Sequence, residues 1–196
     1  MRTLMRASLV ALLFLGTAAS AEPDRPALRV VQGAIEQTAY TRSYDPSYVR
    51  IAYPNGDPPR DRGVCSDVIV RAFRKAGVDL QKEIHEDMVR NFAAYPHRWG
   101  LRAPDANIDH RRVPNLMTFF ARHGKSVPVS ARPEDYLPGD VVAWDLGGGL
   151  LHVGLVSDAP TADGRGYAIV HNIGAGARLE DVLLNWKIIG HYRYFR

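Results

Sequence analysis

Three side chains in this sequence have the chemistry of a thiol-based catalytic site. Cys65 is the one cysteine of the 196-residue chain, and His152 and His171 each stand among apolar and β-branched residues typical of strands. A thiol acts as a nucleophile when a nearby base takes its proton, and that base needs a polar partner to fix its ring. A single strand histidine is more often structural, but two of them together with one cysteine form a more specific pattern.

The residues around Cys65 predict a helix that begins close to the thiol. Apolar residues at positions 68, 69, 72, 73 and 76 recur at helical spacing, and Gly77 is a typical helix terminator. A helix N-terminus favours a thiolate because its N–H groups are unpaired. The alternative is a small buried hydrophobe, which is how most free cysteines behave. A lone thiol in an exported chain is exposed to oxidation and mispairing, which brings the two interpretations to equal weight.

The first 21 residues are predicted to be a secretory signal peptide. Arg2 and Arg6 give a basic start, residues 9–15 are an apolar run, and residues 19–21 are small, as at a cleavage site. The apolar run is too short to span a bilayer, so we expect no stable membrane insertion. The remaining residues, 22–196, have a suitable length for one domain, which we expect to be monomeric and periplasmic.

The charge distribution argues against a nucleic-acid-binding protein. The formal net charge of the chain is +4 at pH 7, and the predicted signal peptide contributes Arg2 and Arg6 to it. The other basic residues are scattered among acidic ones, without a basic stripe interleaved with aromatic residues. We therefore expect no nucleic-acid partner.

Helical patterns come first in the chain and strand patterns come later. The apolar spacing predicts helices over residues 27–37, 65–76, 84–95 and 114–123, and strands over residues 48–53, 141–144, 151–157, 167–171 and 188–194. No internal repeat or low-complexity segment calls for a second domain. Because the late strands are short and closely connected, the order predicts an α+β fold with an antiparallel sheet.

Four motifs carry a resemblance to a known superfamily. They are Gly-Val-Cys-Ser-Asp-Val at 63–68, Leu-Pro-Gly-Asp at 137–140, His-Val-Gly-Leu-Val at 152–156 and Ile-Val-His-Asn at 169–172. Their order resembles that of the NlpC-like cell-wall cysteine peptidases. From about residue 45 onward, the chain more closely resembles domain of unknown function 1287, a family assigned to that papain-like superfamily. The closer marks are Tyr-Asp-Pro-Ser-Tyr at 44–48, Asn-Ile-Asp-His-Arg-Arg-Val-Pro-Asn at 107–115 and Gly-His-Tyr-Arg-Tyr at 190–194.

The resemblance implies a papain-like NlpC-type fold, with the nucleophile helix packed on the sheet. It implies Cys65 as the nucleophile, His152 as the general base and His171 as the residue that orients this base. It further implies a peptide or amide substrate, for which peptidoglycan is the first candidate. It implies neither a cofactor nor a metal. Val64 stands where well-known NlpC-like enzymes have an acidic residue, and residues 81–127 differ from the usual compact version. A tyrosine upstream of the cysteine often lines such sites, and Tyr53 is the candidate.

Two other classes of function compete with the hydrolase. The first is a catalytically silent module that keeps the fold to bind cell-wall peptides. The second is a metal-binding protein built from the middle segment, although the spacing of its residues matches none of the compact zinc motifs. The possible ligands are His85, Asp87, His97, Asp109, His110 and His123.

Residues 107–112 combine both charge signs next to predicted aromatic helices. One interpretation is a rim that recognises a carboxylate-bearing peptide, with Asp109 in the rim and Arg111 or Arg112 as the clamp. The alternative is an internal ion-pair network that holds a long loop, and it carries slightly more weight.

Overall fold

Four α-helices precede the main sheet in the part of the chain that the structure describes. A computed structural model describes residues 25–195, so the predicted signal peptide lies outside it. The helices are α1 (Pro26–Ile35), α2 (Cys65–Lys75), α3 (Leu80–Asn91) and α4 (Val113–Arg122). Among these residues, no helix is both long and apolar enough to cross a membrane.

The strands form one large antiparallel sheet and one small parallel pair. The pair is β1 (Ser43–Tyr44) with β2 (Arg62–Gly63). The large sheet consists of β3 (Val141–Asp145), β4 (Leu151–Pro160), β5 (Tyr167–His171), β6 (Arg178–Glu180) and β7 (Lys187–Tyr192), in the order β6-β5-β4-β3-β7. The prediction of an α+β fold with helices first and an antiparallel sheet is confirmed.

Helix α2 lies at the centre of the fold, between α1 and the sheet. Every residue from Cys65 to Phe73 is buried, so the helix is enclosed on all sides over more than two turns. Gly33 of α1 permits the close packing, because a Cβ atom there would lie 2.7 Å from the Cβ of Lys75. This contact lies at the C-terminal end of α2, at the opposite end of the helix from the thiol.

The large sheet is covered on both faces by apolar clusters. The main cluster joins the helices to one face and contains Cys65, Phe73 and Phe120 together with Val153 and Leu155 of β4. A second cluster covers the other face and consists of Tyr136, Val142, Trp144, Val156, Ile169 and Leu183. Burial of large apolar side chains such as these stabilises a fold by about 1.5–3 kcal/mol each, so both faces hold the central strands firmly.

Several parts of the predicted secondary structure differ from the observed one: the helix predicted over 84–95 is α3, which begins and ends four residues earlier, and the short β1–β2 pair has no counterpart in the prediction. The strand predicted over residues 48–53 is wrong: the segment is irregular, and the Ile51 N–H donates to the Asn107 side chain (3.0 Å) instead of to a strand. Strand β6 was not predicted, because all of its residues are exposed and no apolar alternation marks it.

Candidate active site

The Cys65 thiol lies at the first residue of α2, against the backbone of β4. The backbone N–H groups of Val153 in β4, of Ser66 and of Cys65 itself lie close enough to the sulfur to lower the pKa of the thiol. Because the Val153 N–H belongs to the peptide that joins it to His152, the thiol lies beside the strand segment that carries this histidine. Burial raises the pKa of Cys65 to about 11, whereas the three N–H groups lower it by stabilising the anion.

A chain of hydrogen bonds links His152 to the sheet edge. His152 Nε2 lies 2.8 Å from His171 Nδ1, and His171 Nε2 lies 2.9 Å from a carboxylate oxygen of Glu180 in β6. A carboxylate only accepts, so Nε2 of His171 carries the hydrogen and its Nδ1 accepts from His152 Nε2–H. In this arrangement the unprotonated nitrogen of His152 is Nδ1, which is the atom that can take a proton.

Both imidazole rings are buried under tryptophan. The His152 ring centroid lies 5.7 Å from that of Trp144 and 6.0 Å from that of Trp186. Gly154 leaves room for the rings, since a Cβ atom there would lie 3.2 Å from both His171 and Trp144 and only 2.6 Å from Ile169. Burial lowers the pKa of His152 to about 3. Burial also lowers the pKa of His171, and this effect is larger than the increase that the nearby Glu180 carboxylate causes. The two rings are therefore neutral at rest.

Asn172 ties the end of β5 to the start of the nucleophile helix. Its side-chain amide donates to the carbonyl of Gly63 (2.9 Å) and to that of Ser43 (3.2 Å). Gly63 lies two residues before Cys65, so this side chain holds the strand end that carries His171 close to the entry of α2. The Ile-Val-His-Asn motif thus combines one residue of the histidine pair with the residue that locks its position.

The Cys65 thiol and the histidine pair lie at the same part of β4 but on different sides of the sheet: Cys65 packs with Val153 on one face, and the His152 ring packs with Trp144 on the other. His152 and His171 are hydrogen-bonded across neighbouring strands, where Gly154 pairs with His171. Backbone N–H groups stabilise the Cys65 anion, and among the described residues the hydrogen bond of the His152 ring is with His171 and not with the sulfur. Catalytic hydrogen bonds are often long in unliganded enzymes and tighten only when substrate is bound.

An open cavity of about 510 Å³ gives access to Cys65, and neither His152 nor His171 is among the residues that line it. Cys65 and Val64 form part of its wall, and Leu150 and Leu151, which directly precede His152, form another part. Gly149 of the β3–β4 loop also lines it, and the rest of the lining comes from the N-terminal loop and from the middle segment: Tyr44, Pro46, Tyr48, Arg98, Trp99, Ile108, Arg111, Arg112, Val113 and Pro114. Its volume suits a peptide-sized substrate.

The tyrosine that the structure places near the thiol is Tyr44. Its pKa is raised to about 12, first by burial and then by the nearby Cys65 and Asp67, so the hydroxyl keeps its proton. Tyr53 does not line the cavity: its ring packs edge-on against His85, and its hydroxyl lies 3.5 Å from Glu86. The structure therefore does not bring Tyr53 to Cys65.

Arg111 is bound inside the protein. Its guanidinium donates to both carboxylate oxygens of Asp67, at 2.9 and 3.0 Å, and to the carbonyls of Ser47 and Asp45. Asp67 also accepts from the Val64 N–H (2.7 Å) in the first turn of α2. Since these four bonds occupy four of the five guanidinium N–H donors, the ion-pair network describes Arg111 better than the carboxylate clamp does.

Arg112 and Asp109 have different surroundings from each other. Arg112 lines the cavity, and its guanidinium lies 4.5 Å over the ring of Trp99. Asp109 is buried away from the cavity and accepts from the backbone N–H of Asp105 (2.8 Å), with one oxygen 2.9 Å from His85 Nδ1. The structure thus places Arg112 at the cavity, and it places Asp109 in the support of the loop.

The histidine-rich middle segment has its own internal partners. Asp87 binds Tyr95 and Arg122, His97 stacks on Phe92, and His123 lies against Phe119. Within residues 25–195, no group of three or more His, Cys, Asp or Glu side chains is arranged to hold a metal ion.

Comparison with known proteins identifies the family. Residues 31–194 match the family described as "Domain of unknown function (DUF1287)". The chain belongs to the DUF1287 family. This DUF1287 chain is also 57% identical to "Uncharacterized protein YijF" of Escherichia coli (strain K12) over 168 residues, which cover 86% of the chain and 82% of that protein.

The fold of this DUF1287 chain is similar to that of a solved NlpC structure. NlpC1 from Trichomonas vaginalis matches with a TM-score of 0.50 and 13% identity, over 89% of the chain and 46% of that structure. An NLP/P60-family protein from Staphylococcus aureus, described as similar to lipoprotein, matches with a TM-score of 0.40 and 15% identity, over 93% of the chain and 46% of that structure. The chain spans about half the length of these structures. The match to NlpC1 confirms the predicted NlpC-type fold and bears on the fold alone.

Sequence reasoning on this DUF1287 chain missed three residues of the site. Glu180 lies in a strand without apolar alternation, and Tyr44 and Trp99 lie in irregular or very short elements. The Tyr-Asp-Pro-Ser-Tyr motif was one available signal, because its first residue is Tyr44. No local pattern indicates that Glu180 reaches His171, nine residues earlier, across neighbouring strands.

Proposed function

We propose that this protein is an exported cysteine hydrolase that cleaves an amide bond in peptidoglycan. The observation that carries the proposal is the arrangement of Cys65 at the wall of an open cavity, beside the strand on which His152 is oriented by His171 and Glu180. Each element of a thiol mechanism has a candidate: a nucleophile at a helix N-terminus, a neutral base with a defined tautomer and backbone donors.

The first chemical step transfers one proton and forms one bond. Cys65 Sγ attacks the amide carbonyl carbon, and its proton passes to His152 Nδ1. Burial disfavours an isolated thiolate and an isolated imidazolium, so the proton moves as the attack proceeds and not before it. The backbone N–H of Cys65 can donate to the developing oxyanion, and the protonated hydroxyl of Tyr44 is a second candidate donor.

The second half of the reaction restores the enzyme. His152 gives its proton to the amine as the C–N bond breaks, which leaves a thioester on Cys65. Water then attacks this thioester, loses a proton to His152 and releases the acid, and the proton returns to the sulfur. His171 and Glu180 stay hydrogen-bonded through both steps and hold the ring of His152 in one orientation.

Digestion of purified cell-wall sacculi tests this proposal. We expect the wild type to release soluble fragments whose masses identify the cleaved amide, and we expect Cys65→Ala and His152→Ala to release none. Arg102→Ala is the matched control, because this exposed residue lies outside the cavity lining. Fragment release that is undiminished in Cys65→Ala, or no release by the wild type, contradicts the proposal.

One observation favours a silent binding module as the second candidate. The Cys65 thiol is only 4% exposed, has a raised pKa and is not hydrogen-bonded to His152. Such a module would bind sacculi without releasing fragments, and Cys65→Ala would bind as tightly as the wild type. Sedimentation of the protein with sacculi, run beside the digestion, separates the two functions.

A further inference from the structure

The cavity at Cys65 is lined by positive and not by negative side chains. Its lining contains Arg98, Arg111 and Arg112, and no Asp or Glu is among the lining residues. Asp67 neutralises Arg111 from inside the protein, at 2.9 Å. Arg98 and Arg112 therefore leave an uncompensated positive charge at the surface that a substrate would meet.

Arg112 has no hydrogen-bond acceptor for its guanidinium in the part of the chain that the structure describes. Its Nη1 atom is buried without a hydrogen-bond partner, and the contact that orients the group is the Trp99 ring. An unpaired donor shielded from water is unfavourable, and an arginine stacked on an aromatic ring is held in a fixed plane. A guanidinium with these properties has hydrogen-bond donors available for an anionic ligand.

Trp99 adopts an unusual conformation that places it at the cavity. Its φ is +60°, a region that bulky residues seldom occupy, and the side chain is 62% exposed. The conformation belongs to a tight turn in which Gly100 also has a positive φ and the Leu101 N–H donates to the Arg98 carbonyl (3.2 Å), and this turn leaves the indole exposed at the cavity. An exposed indole that also stacks on a guanidinium is available for contact with a ligand in the cavity.

We infer that Trp99, Arg112 and Arg98 form a subsite for a carboxylate of the substrate, on the same cavity as Cys65. A carboxylate matches the fork of a guanidinium and forms two parallel hydrogen bonds with it. The inference rests on the proposed function, and it specifies that the cleaved amide belongs to a peptide with a free carboxylate near the scissile bond. The subsite comes from the middle segment of the chain, residues 81–127.

Binding of two matched peptides tests the subsite without reference to turnover. Calorimetry on the Cys65→Ala protein would compare a peptidoglycan stem peptide that has free carboxylates with the same peptide whose carboxylates are amidated. We expect amidation to weaken binding about tenfold or more, which is the fold-change that the loss of charged hydrogen bonds produces. Arg112→Gln should remove this discrimination, and the control Arg102→Gln should keep it.

A second variant protects the test against misfolding. Trp99 is mostly exposed, so Trp99→Leu should fold normally and still weaken binding of the acidic peptide, whereas Trp99→Phe should keep most of the binding. Equal binding of the two peptides, binding of neither, or discrimination that survives in Arg112→Gln overturns the subsite. Discrimination that depends on Arg112 in a protein without Cys65-dependent turnover supports the subsite and contradicts the proposed hydrolase.

Discussion

Replacement of Arg111 by alanine should destabilise the protein more than any surface charge change. The variant would remove a two-point ion pair in which both side chains are only 2% exposed, together with hydrogen bonds to the carbonyls of Ser47 (2.9 Å) and Asp45 (3.2 Å). Asp67 would remain as a buried and uncompensated charge in the first turn of α2. Breaking a buried pair in this way costs about 3–5 kcal/mol.

The size of this loss is measured by urea unfolding and by thermal melting. A loss of 3–5 kcal/mol corresponds to a fall in Tm of roughly 6–20 °C for a domain of this size. Arg90→Ala is the control, because Arg90 and Glu86 form an exposed pair at 3.9 Å, and its unfolding free energy should stay close to that of the wild type.

A double variant separates the charge from the packing. Asp67→Asn combined with Arg111→Met removes both charges and keeps an acceptor for the Val64 N–H, so we expect it to be more stable than Arg111→Ala alone. If Arg111→Ala unfolds at the same urea concentration as Arg90→Ala, Arg111 is not the internal anchor described here.

Three further predictions follow from the site and its surroundings. Glu180→Ala should lower kcat/KM by about tenfold or more, whereas Glu180→Gln should retain more activity. Because the carboxylate raises the pKa of His171, Glu180→Ala should also move the acid limb of the pH profile to lower pH. An unchanged profile in both variants contradicts the orienting role. Without substrate, alkylation of Cys65 by iodoacetamide should rise with pH toward a midpoint near 11, and a midpoint below 7 would indicate a preformed ion pair. Burial lowers the pKa of His110 to about 3, so the neutral ring contributes its full stability above the unfolded pKa of about 6.5, and this stability is lost as the pH falls. Between pH 7 and pH 5 the unfolding free energy of His110→Leu should therefore fall by about 2 kcal/mol less than that of the wild type. Equal losses in the two proteins contradict a buried neutral His110.

The elements that hold the catalytic residues could be predicted because their signals are local. Helical spacing after Cys65 reflects burial of a helix on the sheet, and β-branched runs around His152 and His171 reflect central strands. The burial pattern of these segments is written into consecutive residues. The sheet order and the pairing of the two histidines depend on contacts that no local pattern contains.

The supporting residues could not be predicted because their partners are distant in sequence. Arg111 binds Asp67, which lies 44 residues earlier, and this contact changes its interpretation from a surface clamp to an internal anchor. The segment 48–53 alternates like a strand, but it has no strand beside it and bonds to the side chain of Asn107 instead. Alternation indicates a strand only where a neighbour can supply the ladder of hydrogen bonds.

The positions of the tyrosines illustrate the same limit. Tyr53 and Tyr44 both precede the cysteine, and composition does not distinguish them. Pairing of β1 with β2 places Tyr44 opposite Gly63, at the entry of α2, whereas Tyr53 lies with His85 at α3. The choice between them is made by a two-residue parallel pairing, which is too short to recognise from sequence.

The most direct test of the central claim is the mass of the protein during turnover. Wild-type protein would be mixed with muropeptides, quenched in acid within the reaction time and measured intact, followed by peptide mapping. The account predicts an added acyl group on the peptide that contains Cys65, at a mass that matches the acyl side of the cleaved amide. Product formation without any adduct, and at an unchanged rate in Cys65→Ala, would contradict it.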